Sequence, residues 1–206
     1  MERVGINTER ALGVSIPDLR SLARQHRRDH TLALDLWRTR IHEARILASM
    51  IDDPARVTEE QMEDWVADFD SWDTCDQVCG NLFGATPFAF RKARAWTRRS
   101  EEFVKRAGFT LIAERAVHDR SAPDTVFARF LPTIHRGATD ERNYVKKAVS
   151  WSLRQIGKRN LALHALAIEE ADRLVDLDSR SARWIGHDAA RELRSDAVRK
   201  RLEERV

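Results

Sequence analysis

The stretch VTEEQMEDWVADFDSWDTCDQ, residues 57–77, holds two helices and the turn between them. Thr58 followed three residues later by Gln61 is a capping-box pattern that opens a helix. Apolar residues then recur at spacings of three and four through Met62, Trp65 and Val66. Asp70 or Ser71 caps the next helix, expected from Trp72 to about Phe83. Two amphipathic helices joined by a tight turn bury their apolar faces by stacking on neighbouring pairs, so this stretch reads as one unit of a helical array.

The pattern extends outward over the chain. Further helices are expected at about 17–28, 30–51, 87–98, 100–118, 123–136, 140–159, 161–174 and 179–193. Of 206 residues, 33% are charged and only 8 are Gly and 5 Pro, which suits helices with solvated faces. Strand-type runs of Val, Ile, Thr and Tyr are missing. The reading is therefore all-α and a single domain, 1–206, with a short lead-in (1–14) and a charged tail from about 194. No segment approaches the ~18 apolar residues of a membrane span, and no charged-then-apolar leader opens the chain, so a soluble, cytoplasmic protein is expected.

A repeat is visible when Arg45, Cys75, Arg106, Lys147 and His187 are placed in register, at steps of 30, 31, 41 and 40 residues. Three residues before each stands a ring: His42, Trp72, Phe103, Tyr144 and Trp184. A helix-hairpin solenoid of the HEAT type predicts this pattern, with a plain helical bundle as the alternative. Cys75 and Cys79 lie one turn apart without a second ligand pair, which points to reduced core thiols.

Function is sought where the repeat breaks its own rule. One position after the reference, two repeats have Ala107 and Ala148, but the second has Asp76. Four positions after it, Ser49, Cys79 and Thr110 are followed by the large Trp151. Trp72 and Asp76 are i, i+4 and share a helix face, whereas Asp73 points about 100° away into the first turn. Asp70 and Asp73 therefore read as caps and Asp68 as solvated, leaving Asp76 beside Trp72 without a structural role. Lys147, Trp151, Arg154 and Lys158 fall at i, i+4, i+7 and i+11, a cationic stripe around one indole that suits a phosphate backbone. Arg106 lies between polar Lys105 and apolar Phe109, its stem on the core and its fork toward solvent.

Charge is segregated as well. Segments 90–100 and 143–160 carry cations and no acid, while 59–76 is acidic, although the net formal charge is only +3. No GxSxG, Gly-rich phosphate loop or zinc-protease motif is present, so metal and nucleotide sites have no support and no cofactor is expected.

The segments GVSIPDLRSLAR, DSWDTCDQ, EFVKRAGFTLIA and ERNYVKKAVSWSLRQIGKRN together resemble the AlkD-like DNA alkylation-repair glycosylases. The resemblance implies a right-handed superhelix of HEAT-like antiparallel helix pairs with a concave basic DNA-binding face. It implies excision of N3- and N7-alkylated purines, including bulky ones, from double-stranded DNA by hydrolysis of the N-glycosidic bond without base flipping, in base excision repair. The family's lesion site is matched by Trp72, Asp76 and Trp151 as catalytic residues and by Arg106 as a DNA contact. Lys147, Arg154 and Lys158 are further candidate DNA contacts from the stripe. A monomer acting at the nucleoid is expected. Members of the family carry a further helical stretch ahead of the segment matching GVSIPDLR, where twelve residues stand here, so a smaller DNA surface is expected. Two other readings stay open: a non-catalytic HEAT-like protein that binds damaged or branched DNA, and a protein-interaction scaffold.

Overall fold

A computed structural model describes residues 9–204. It contains helices and no strands among the described residues. Two compact units divide the chain, Met1–Ala89 and Phe90–Val206, and each is taken by itself.

The first unit contains α1 (Ile16–Gln25), α2 (His30–Arg38), α3 (His42–Ile51), α4 (Glu59–Ala67) and α5 (Trp72–Asn81), then a 3-10 turn, Phe83–Ala85. α3 packs against α1, α2 and α5. The indoles of Trp37 on α2 and Trp65 on α4 stack at 4.0 Å, with Phe69 and Phe83 against their edges. Thr58 caps α4 by accepting from the Gln61 amide (3.1 Å). The Gln61 side chain does not close the box; it donates instead to Asp52 (2.7 Å).

The single helix expected over 30–51 is two. Arg40 adopts φ 59 in the turn, a conformation that costs a non-glycine residue roughly 1–2 kcal/mol. Thr39 bridges the break, donating to the Leu36 carbonyl and accepting from the Ile41 amide. The fold back lets Trp37 and Ile46, 5% and 1% exposed, enter one core, which outweighs that cost.

The second unit contains α6 (Ala89–Trp96) from its second residue on, then α7 (Glu102–His118), α8 (Asp124–Ala128), α9 (Leu131–Gly137), α10 (Asn143–Gly157), α11 (Leu161–Val175), α12 (Arg180–Leu193) and α13 (Asp196–Glu203). α10 is central, packing on α7, α9, α11 and α12. α7 is buried on nearly every side from Val104 to Ala113. Where the sequence suggests one helix over 123–136 there are two, because Pro132 opens α9 and its ring cannot follow a helical turn. Gly186 lets α12 approach α11 closely: a Cβ there would lie 2.5 Å from the Ala171 carbonyl oxygen. The segment expected as a charged tail folds into α13, capped by Ser195 and anchored by Leu202, 2% exposed.

Candidate nucleic-acid site

In the first unit the acidic cluster separates by contact. α5 starts after Ser71, whose extended backbone (φ -150) ends the preceding turn, and Cys75, Val78 and Cys79 turn into the core. Both cysteines are buried, reduced thiols. Asp68, expected to be solvated, accepts from Trp37 Nε1 (3.0 Å) and from Arg45 Nη2 (3.0 Å). Asp73, expected as a simple cap, pairs with His42 Nε2 (2.8 Å) and accepts from Ser71 Oγ (2.8 Å). The hydrogen bond to Asp73 raises the His42 pKa above its ordinary value against the opposing effect of burial. Burial pushes Asp73 up, but the bonds from His42 and Ser71 prevail and hold it below the usual carboxylate range. Asp68 and Asp73 thus tie α5 and the turn before it to α2 and α3, while Trp72 and Asp76 remain partly exposed on one face of α5.

In the second unit, Arg106 is 5% exposed, and its Nη1 donates to the Tyr144 carbonyl (2.6 Å) at the start of α10. The guanidinium is thus more enclosed than its edge position in the sequence suggests. Lys147 is exposed and Trp151 partly exposed along α10. Farther along, Arg154 pairs with Glu192, and Lys158 Nζ lies 2.6 Å from the same carboxylate. Asp188 accepts from Ser150 (2.7 Å) and lies 3.7 Å from Arg154. Burial pushes Glu192 up, and Lys158 and Arg154 more than reverse this, so it stays ionised well below neutrality. α12 therefore neutralises the far end of the stripe. Reading α10 alone missed Asp188 and Glu192, whose only signal was their place on the next amphipathic helix.

The model of the DNA alkylation repair enzyme family matches residues 1–200. The chain belongs to that family. A solved structure from a new family of proteins related to the HEAT-like repeat DNA glycosylases, with affinity for branched DNA structures, matches at a TM-score of 0.80 and 19% identity. That match covers 98% of this chain and 90% of the other, and it shows the HEAT-like repeat fold. An engineered protein matches at a TM-score of 0.38 and 12% identity, covering 86% of this chain and 91% of that one. A designed armadillo repeat protein in complex with a (KR)4 peptide matches at 0.38 and 16%, covering 91% and 80%. No curated protein matches the chain closely enough to count as a relative.

For this DNA alkylation repair family member the chemistry available is carboxylate, indole and cation. No group of three His, Cys, Asp or Glu side chains that could hold a metal ion occurs among the described residues. No helix among them is long and apolar enough to cross a membrane.

Proposed function

We propose that the chain is a DNA glycosylase that removes N3- and N7-alkylated purines from duplex DNA by hydrolysing the N-glycosidic bond without flipping the base, as a monomer whose two units work as one domain. An alkylated purine is already cationic and leaves readily, so no strong general acid is needed. What remains is to stabilise an oxocarbenium-like sugar and to position a water, and a carboxylate does both. Asp76 has this role, with Trp72 and Trp151 against the deoxyribose and Arg106 on a phosphate near the lesion. Lys147, Arg154 and Lys158 are backbone contacts, Lys147 the strongest because the other two already face Glu192. No metal or organic cofactor takes part.

The observation that carries this reading is the shared, partly exposed face of Trp72 and Asp76 on α5. Family membership supports it, as does the resemblance of Trp72, Asp76, Arg106 and Trp151 to the family's lesion-site residues. Its test is single-turnover release of free base from duplex DNA holding an N7-alkylguanine. Asp76→Asn should slow release by about 100-fold or more; unchanged release would remove Asp76 from the chemistry.

The likeness to a protein with affinity for branched DNA favours a second reading, a non-catalytic binder of branched or distorted duplex. In that case junction DNA is bound with steep salt dependence, Asp76→Asn changes nothing, and no base is released.

A further inference from the structure

Trp184 belongs to the aromatic register but has no part in the proposed chemistry. It is 40% exposed on α12, whereas Trp37, Trp65 and Trp96 are buried. Lys146 Nζ, from α10, lies 5.1 Å from its ring centroid. Arg180, Trp184 and His187 recur at i, i+4 and i+7, so they share one face of α12, and all three are exposed. Lys147 is exposed beside Lys146. Among the described residues no carboxylate lies within ion-pair distance of Lys146, Lys147 or Arg180. The nearby Glu141 accepts from Ser179 Oγ and from the Ser181 amide, both at 3.1 Å, at the first turn of α12, and from there its charge offsets part of that of Arg180 and Lys146. At the opposite end of α10, Glu192 already offsets Arg154 and Lys158. Positive charge on the α10–α12 face is thus gathered around an exposed indole, with Lys147 exposed beside it.

We propose that Trp184, with Lys146, Lys147 and Arg180, binds an unpaired nucleotide of DNA. The base stacks on the indole while the flanking phosphates take the ammonium and guanidinium groups. A paired base offers no free face, so a solvent-facing ring rimmed by cations fits a single-stranded or branch-point nucleotide rather than continuous duplex. Lys146 covers the ring in the absence of DNA and moves onto a phosphate when a base arrives. The proposal rests on the DNA-binding part of the function above but not on excision.

The test uses the full chain and fluorescence anisotropy on two labelled DNAs with equal numbers of phosphates, one fully paired and one with a short single-stranded overhang. The parent should prefer the overhang DNA. Trp184→Ala should weaken that complex by about tenfold while changing duplex affinity by no more than about twofold, and Trp184→Phe should restore most of the loss. A parent without preference, or a Trp184→Ala protein that loses equally on both DNAs or on neither, overturns the proposal. Base release on the same samples separates the two ideas. A Trp184-dependent preference without excision refutes the glycosylase alone, and normal excision without Trp184 dependence refutes the stacking site alone.

Discussion

The acidic stretch around α5 and the cationic stretch along α10 are opposite in sign, yet the structure treats them alike. In each, part of the surplus charge is drawn into pairs with a neighbouring helix. Asp68 holds Arg45 and Trp37, and Asp73 holds His42; Arg154 and Lys158 face Glu192. In each, the helix also carries a partly exposed indole, Trp72 with Asp76 on α5 and Trp151 with Lys147 on α10. A run of like charges therefore overstates the charge a ligand meets. What counts is the charge that remains after the local pairs have formed.

The contrast within α5 can be broken most sharply. Asp76→Asn should cost about 100-fold or more in base release. Asp73→Ala should leave base release largely intact and lower stability by about 1–3 kcal/mol, because it leaves a buried His42 without its main partner, as read from urea unfolding. A loss of base release as large for Asp73→Ala as for Asp76→Asn would erase the distinction between the acid paired with His42 and the Trp72–Asp76 face.

The contrast within α10 predicts smaller changes. Lys147→Ala should reduce the slope of log affinity against log salt by about 0.9, and Arg154→Ala by clearly less, since Arg154 brings a carboxylate with it. Glu192→Gln should steepen that slope by freeing Arg154 and Lys158. Titrations at several salt concentrations check both, and equal slopes for the two alanine variants would show that Glu192 does not screen the stripe.

The smallest effect is in pH. His42 has a raised pKa in the folded chain, so its contribution to stability is fully present below about 6.5 and lost as pH rises through the folded value. Asp73 has a lowered pKa, so its contribution is present above about 3.9 and lost as pH falls through the folded value. Urea midpoints of the parent should therefore decline on both sides of that window, and Asp73→Ala should flatten both limbs. A parent midpoint that rises steadily from pH 6 to 8 would contradict the His42 assignment.

Much of this molecule follows from spacing within one or two helical turns. The Thr58 cap, the helices over 59–67 and 72–81, and the shared face of Trp72 and Asp76 were all readable, because caps and periodicity are local physics. The breaks at Arg40 and Arg129–Phe130 were not read. The first has neither Gly nor Pro and is driven by the burial of Trp37 and Ile46, while the second had a signal in Pro132. α13 was equally hidden, since its one buried leucine gains nothing until α12 is in place.

By itself the sequence determined an all-helical repeat, a helix face shared by Trp72 and Asp76 and the segments where charge collects. Only the tertiary structure decided which charges remain available, because a pair such as Arg154 with Glu192 joins residues 38 positions apart on different helices. Helical periodicity places side chains on a face within a few residues, whereas charge compensation depends on distances that exist only after the helices have packed.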